Sequence, residues 1–175
     1  MDQLLLIAAR VGALLKARGE TVAVAESSAG GLISAALLAV PGASAFYVGG
    51  GVIYTARARH RLLGLGREDV EGIRSASEPY AELLARTVRE QLGTRWGLSE
   101  TGATGPTGNG YGDAAGHACL AVAGPVSLVE TLETGSADRW LNMLAFAQAA
   151  LKLLETAIAT THPDAPPLGE LSRSD

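Results

Sequence analysis

The sequence predicts an α/β fold, a layered α/β/α sandwich with a mixed, partly antiparallel sheet. Short β-branched apolar runs alternate with stretches of helical periodicity from the N-terminus to Thr101, the order expected of helices packed on a sheet. Two further apolar runs are separated only by Gly124-Pro125, a hairpin signal that makes part of the sheet antiparallel. At 175 residues, 47% hydrophobic and 18% charged, the chain has enough apolar side chain for one domain with a sizeable core.

Leu4, Leu5, Ile7, Ala8, Val11, Leu14 and Leu15 recur at helical spacing, and Gly19, after Lys16 and Arg18, supplies a stop. A helix is therefore expected from Gln3 to Arg18. Residues 21–25 form a β-branched apolar run that breaks into Glu26-Ser-Ser-Ala-Gly-Gly31 before Leu32, Ile33, Ala36 and Leu37 resume helical spacing. Pro41-Gly42 ends that helix. Residues 45–54 read as a strand interrupted by Gly49-Gly-Gly51, hence bent or bulged. Helical pattern returns over 56–63, and Ser77-Glu-Pro-Tyr80 opens a long amphipathic helix to Leu92, with Ser77 as N-cap and Pro79 in the first turn. Strands follow at 96–101, 118–123 and 127–134, and a last helix at 138–159, apolar at Leu141, Leu144, Ala145, Ala149, Leu151 and Leu154. Beyond Thr161 the composition turns to Pro, Gly, Ser and charge, which reads as a flexible tail over 161–175 behind a domain of residues 1–160.

The net charge of -4 and a pI of about 5.4 give no global positive field for phosphate backbones, so nucleic acid is not an expected partner. Arg57, Arg59, His60 and Arg61 are a local exception, open to two readings: an exposed helix start, or a site for one small anion. The three histidines, His60, His117 and His162, have no ligand spacing, and neither metal nor cofactor is implied. Cys119, the single cysteine, lies in an apolar run and reads as a buried hydrophobe. No N-terminal signal pattern and no membrane-spanning apolar run stand out, so a soluble cytoplasmic protein is expected, with no membrane partner.

Glycine and hydroxyl residues concentrate in two segments, 22–31 and 99–112, both at the C-terminal ends of expected strands. Glycine is costly in ordered structure, so its concentration beside Ser and Thr points to backbone N–H groups brought close to a ligand such as a carboxylate, amide or phosphate. Neither loop matches a phosphate-cradling GxxxxGK[ST] or a GxGxxG dinucleotide turn.

Taken together, Ala25-Glu-Ser-Ser-Ala-Gly-Gly31, Pro41-Gly-Ala-Ser-Ala-Phe46, Gly51-Val-Ile-Tyr54, Ser77-Glu-Pro79 and Thr101-Gly-Ala-Thr-Gly-Pro-Thr-Gly108 resemble the CinA C-terminal domain family over nearly residues 3–158. Family members of known activity are nicotinamide mononucleotide deamidases, which hydrolyse the pyridine carboxamide to a carboxylate and release ammonia. The resemblance implies Ser44 as nucleophile and Tyr54 as a partner in proton transfer. It places Arg59 where the family has a lysine. A lysine can act as the base that activates a serine, whereas arginine, with a pKa above about 12, keeps its proton. Lys16 and Lys152, the chain's two lysines, fall on the terminal helices. The family's Glu-Ser-Cys-Thr-Gly-Gly becomes Glu26-Ser27-Ser28-Ala29-Gly30-Gly31, and the loop over 107–116 departs from the family as well.

The two glycine-hydroxyl loops supply candidate ligand-binding residues Glu26, Ser27, Gly30, Gly31, Thr101, Gly102 and Gly105, and the resemblance adds Arg139 as a residue for a substrate phosphate. Several of these have plainer readings. Ser44 after Pro-Gly suits a turn, Tyr54 a packed strand aromatic, Glu26 an ion pair and Arg139 a helix start. Two functions remain open: hydrolysis of a nicotinamide nucleotide, or a catalytically silent homologue that binds a small nucleotide or amide ligand. A homo-oligomer is expected in either case.

Overall fold

The computed structural model describes residues 1–162, so the expected tail lies outside the described residues except for Thr161 and His162. In chain order the described elements are α1 (Asp2–Arg18), β1 (Val22–Glu26), α2 (Leu32–Leu38), β2 (Tyr47–Val52), α3 (Ala56–Leu63), α4 (Glu78–Leu92), β3 (Trp96–Ala103), β4 (His117–Ala123), β5 (Leu128–Glu133) and α5 (Arg139–Ala159). Short 3-10 turns occupy Ala43–Ala45 and Glu68–Val70.

The helix limits follow from the sequence. Gly19 closes α1 in the left-handed conformation at φ 63, its N–H returning to the last turn. Ser77 caps α4 by accepting the Tyr80 N–H, and Gly93 ends it. Thr55 and Asp138 cap α3 and α5 in the same way, accepting the N–H groups of Ala58 and Leu141. The strand expected over 45–54 is shorter, because residues 43–45 close a 3-10 turn instead. Its expected irregularity is real: Val22 pairs with Tyr47 but Ala23 with Gly49, which leaves Val48 as the extra residue of a bulge.

The sheet runs β2-β1-β3-β4-β5. β1 is parallel to both β2 and β3, whereas β3, β4 and β5 pair antiparallel. Alternate side chains of the buried strands divide between two layers. Val22, Val24, Leu98, Leu120 and Val122 share one core with α1, α2 and α5, while Ala23 and Ala25 pack with Leu63, Tyr80, Leu84 and Val88 of α3 and α4. This is the expected three-layer α/β/α sandwich. α5 is long and apolar enough to cross a membrane by composition alone, but Phe146, Ala150, Leu151, Leu154 and Ile158 line the core against the sheet.

Close approach of α4 to β3 depends on Gly97, where a Cβ would stand 2.0 Å from the Ala85 carbonyl oxygen and 2.7 Å from Arg89 Cβ. Because the obstacle is helix backbone, a larger residue must separate the two layers. Gly97→Ala is expected to lower stability by about 2–3 kcal/mol in urea unfolding, without the positive-φ penalty that complicates glycines such as Gly19.

Candidate functional site

β1 and the strands on either side of it run parallel, so the C-terminal ends of β2, β1 and β3 open on the same edge of the sheet. The chain passes from β1 to β2 through α2 on one face, and from β2 to β3 through α3 and α4 on the other. A crevice outside strand ends, where the connections diverge, is the usual ligand position in such sheets. Here it is a cleft of about 330 Å³ on the α3/α4 side, lined by residues 27, 53–56, 59, 75, 76, 80, 101, 102, 109 and 111. A second cleft of about 260 Å³ lies along α4 and β4, where Glu82 and Glu90 face Arg86 and Arg89. It contains neither of the glycine loops.

The first cleft gathers Ser27, Tyr54, Arg59, Thr101 and Gly102 from the expected site set. Arg139 reaches its rim from the start of α5, donating to the Gly105 carbonyl at 2.7 Å and to the Tyr54 hydroxyl at 3.2 Å. Arg59 is half-buried, with Nε donating to the Leu65 carbonyl at 3.2 Å and Nη2 to that of Gly66 at 3.3 Å. Its guanidinium therefore braces the loop after α3 while lending positive charge to the cleft. The walls carry hydroxyls from Ser27, Tyr54, Thr55, Ser75, Tyr80, Thr101 and Tyr111, but no carboxylate, imidazole, thiol or amine side chain.

Ser44 stands apart. It is exposed in the 3-10 turn before β2, whereas Tyr54 follows β2. A strand rises about 3.3 Å per residue, so the six residues of β2 hold Ser44 and Tyr54 at opposite edges of the sheet within one chain. The serines that share the cleft with Tyr54 and Arg59 are Ser27 and Ser75.

Glu26 is not a cleft residue either. Fully buried, it accepts the N–H groups of Gly31, Ile33 and Ser34 at 2.9–3.0 Å and the Ser34 hydroxyl at 2.5 Å. It thereby supplies the acidic cap that α2 lacks at Gly31, its N-cap residue. Glu100, also fully buried, accepts the N–H groups of Ser27 at 3.0 Å and Ala29 at 2.7 Å, and the Ser28 hydroxyl. The N–H of Gly30 returns to the Ser27 carbonyl. Most amides of the first glycine loop are thus engaged by buried side chains or by the loop itself, and the expectation that Gly30 and Gly31 present theirs to a ligand gives way to a structural role. Both glycines have positive φ, 68 and 98, which is what the tight entry to α2 requires of them.

The second loop follows the same logic. A Cβ at Gly102 would lie 2.4 Å from the His117 carbonyl oxygen, at Gly105 2.8 Å from that of Ala137, and at Gly108 2.1 Å from that of Asp113. These glycines admit neighbouring backbone, and Gly102 lines the cleft as well. Asn109 Oδ1 accepts the N–H groups of Tyr111 and Asp113, folding the loop so that Asn109 and Tyr111 reach the cleft. Asp113 in turn takes a bidentate pair from Arg74 at 2.5 and 3.0 Å, which joins this loop to the 75–76 wall. Arg74 holds the Asp113 carboxyl below the usual range.

Burial pushes Glu100 up to about 7; the hydrogen bonds from Ser28, Ala29 and Ser27 pull the other way, and the charge of Glu26 adds to the rise. His117 is shifted upward despite burial, which opposes its charge, because Glu133, the Ala76 carbonyl and Asp113 all favour the imidazolium. Nδ1 meets Glu133 and Nε2 lies 2.9 Å from the Ala76 oxygen. Both contacts are to acceptors, so the doubly protonated ring satisfies them together. Ala76 itself lines the cleft with φ 54, a left-handed conformation that costs a non-glycine residue about 1 kcal/mol. Glu100 and the 75–76 wall are absent from the sequence-based site, and Asn109 and Tyr111 entered it only as members of the 99–112 segment. Glu100 left a signal of its own, as a charged residue in an otherwise uncharged buried strand.

The CinA C-terminal domain family profile matches residues 5–158. A CinA-like protein of Synechocystis sp. (strain ATCC 27184 / PCC 6803 / Kazusa) is 40% identical over 147 residues, covering 82% of this chain and 35% of that protein. The CinA-like protein of Anaeromyxobacter sp. (strain K) is 41% identical over 150 residues, covering 85% and 36%. The chain thus spans about a third of the length of these curated relatives. Among solved structures, the competence/damage inducible protein CihA of Agrobacterium tumefaciens superposes with a TM-score of 0.83 at 28% identity, covering 90% of this chain and 96% of that one. A CinA superfamily protein of Klebsiella pneumoniae 700603 gives 0.84 over 90% and 99% at 24% identity, a likeness of fold. The chain belongs to the CinA C-terminal domain family.

Glu26→Ala would strand three N–H groups and a hydroxyl, so a loss of about 3 kcal/mol or more is expected in urea unfolding, against less than about 0.5 kcal/mol for Ser44→Ala on the exposed turn. A raised pKa in the fold means that His117 stabilises fully below its unfolded value of about 6.5, and that this stability is lost as pH rises through the higher folded value. His117→Asn should flatten that part of the stability–pH curve.

Proposed function

We propose that this CinA C-terminal domain binds a small carboxamide-bearing nucleotide of the nicotinamide mononucleotide type in the cleft at the ends of β1, β2 and β3. The observation that supports this reading is the composition of the cleft: seven hydroxyl side chains, one amide and the Arg59 cation, with a second cation, Arg139, at the rim. Hydroxyls and Asn109 suit a ribose and a carboxamide, and the two guanidiniums suit a phosphate. On this reading the protein is a ligand-binding or regulatory homologue, because its walls hold no group able to take a proton from a serine near neutral pH.

A second reading, hydrolysis, is favoured by the position of Ser27. Its hydroxyl side chain shares the cleft with Tyr54 and Arg59. In that reaction the serine oxygen attacks the carboxamide carbon, ammonia leaves with the serine's proton, and water then cleaves the ester to release the carboxylate and restore the hydroxyl. Ser44 enters only through a second copy. The unpaired edge of β2 is flanked by exposed Leu38, Val48, Val52, Leu62 and Leu92, and antiparallel pairing of two such edges would bring Ser44 of one copy toward Tyr54 of the other. The homo-oligomer and a cytoplasmic location both belong to this proposal.

Isothermal titration with nicotinamide mononucleotide and an ammonia assay on the same protein separate the readings. Binding without ammonia release, weakened about tenfold or more by Arg139→Ala through loss of a charge-assisted contact, is the expected result. Turnover abolished by Ser27→Ala would establish hydrolysis by that serine, and turnover abolished by Ser44→Ala in a dimer would move the reaction to the β2 edge. Absence of binding at millimolar ligand overturns the proposal.

A further inference from the structure

Glu100 occupies an unusual position. It lies in the middle of β3, paired with Leu120 of β4, and its side chain shares the face of Leu98 in the core between the sheet and α1, α2 and α5. The cleft opens on the other face, where Thr101 points. The turn of Ser27, Ser28 and Ala29 folds over the carboxyl, so the residue that contributes a hydroxyl to the cleft is held from behind by a group the ligand does not touch. Oε2 accepts the N–H groups of both Ser27 and Ala29, and Oε1 meets the Ser28 hydroxyl.

We propose that Glu100 is the positioning residue of the Ser27 turn, and that the grip of this turn on a cleft ligand depends on whether the Glu100 carboxyl carries a proton. The ligand half of this inference rests on the reading of the cleft given above.

The geometry admits both protonation states with different consequences. As a carboxylate, Glu100 accepts all three donors. With a proton on Oε1, that oxygen donates to Ser28 Oγ, and the Ser28 hydrogen is released to turn toward another acceptor. Oε2 then holds the Ser27 and Ala29 amides as a neutral carbonyl, a weaker acceptor than a carboxylate. The proton thus loosens the turn without removing it. Burial, the largest influence on this carboxyl, brings the exchange to about pH 7.

The groups around it do not cancel this behaviour. From β1, Glu26 adds a like charge but is itself held by α2 amides and Ser34. β4 contributes the apolar Leu120, and Glu26 is the charged neighbour whose field acts on Glu100.

The test uses the full chain and has two readouts. In the first, the amide nitrogen shifts of Ser27 and Ala29 are followed by NMR without ligand from about pH 5.5 to 8.5, a range that brackets a carboxyl titrating near neutrality. Both are expected to titrate together with a midpoint near 7 in the wild type and to stay flat in Glu100→Gln. Ser28→Ala keeps the carboxyl and removes one donor to its charged form, so its midpoint should move upward. In the second, binding of nicotinamide riboside is measured, a probe with a cationic pyridinium, a carboxamide and no phosphate to titrate. A buried negative charge and an ordered turn act in the same direction on such a ligand, and affinity should rise about tenfold between pH 6 and pH 8 in the wild type, but not in Glu100→Gln. Flat Ser27 and Ala29 amides in the wild type, or titration that persists in Glu100→Gln, would overturn the assignment of Glu100. Amide titration as expected, with riboside failing to bind at every pH, would instead overturn the ligand reading of the cleft while the role of Glu100 in the turn stands.

Discussion

Two carboxylates buried without a paired cation among the described residues govern the cleft edge of this fold. Glu26 and Glu100 lie on adjacent strands, both wholly inaccessible, and both face the layer of α1, α2 and α5. A lone buried charge is expensive, and it persists in a core only where several hydrogen-bond donors converge on it. Those donors are the backbone amides of Ser27, Ala29, Gly31, Ile33 and Ser34 and the hydroxyls of Ser28 and Ser34. The path of the chain from β1 into α2 is therefore dictated by the need to surround two acids. Glu26 can stand where it does because α2 turns its first amides toward it, an arrangement that the helix dipole reinforces.

This division of labour separates the two faces of the sheet. One holds acids and donors in a fixed lattice; the other holds hydroxyls, Asn109 and arginines around open volume. Ser27 belongs to both, since its backbone is tied to Glu100 and its side chain to the cleft. The opposite wall is tied down by a separate cluster in which Arg74, Asp113, His117 and Glu133 connect the 75–76 segment to the loop before β4 and to the edge strand β5. Charge on the cleft side is thus positive and close to solvent, with negative charge stored behind the strands.

Much of the fold was legible because its signals are local. The cap at Ser77, the stop at Gly19, helical spacing of apolar residues and short apolar runs placed the helices and strands within a few residues. The family pattern was legible too, over nearly the span that the profile matches. The site was less so. Tyr54, Arg59, Ser27, Thr101 and Gly102 do converge, but the family resemblance that implied Ser44 as their companion says nothing about which end of a strand a residue occupies. The glycines misled for a related reason: a sequence shows where a Cβ is missing and not what fills the space. At Gly102, Gly105 and Gly108 that space is taken by the carbonyls of His117, Ala137 and Asp113, partners brought in by antiparallel pairing and by a loop whose closure depends on Asn109.

The grip of Arg59 on the carbonyls of Leu65 and Gly66 bears on how the chain could change. A forked side chain joins two backbone oxygens through separate nitrogens; a lysine has a single nitrogen at the end of a flexible stem and matches that planar fork poorly. Arg59→Lys would therefore loosen the segment after α3 at the same moment that it introduced a titratable amine. Position 59 thus serves two ends at once, and any change there alters backbone support after α3 and the charge of the cleft together.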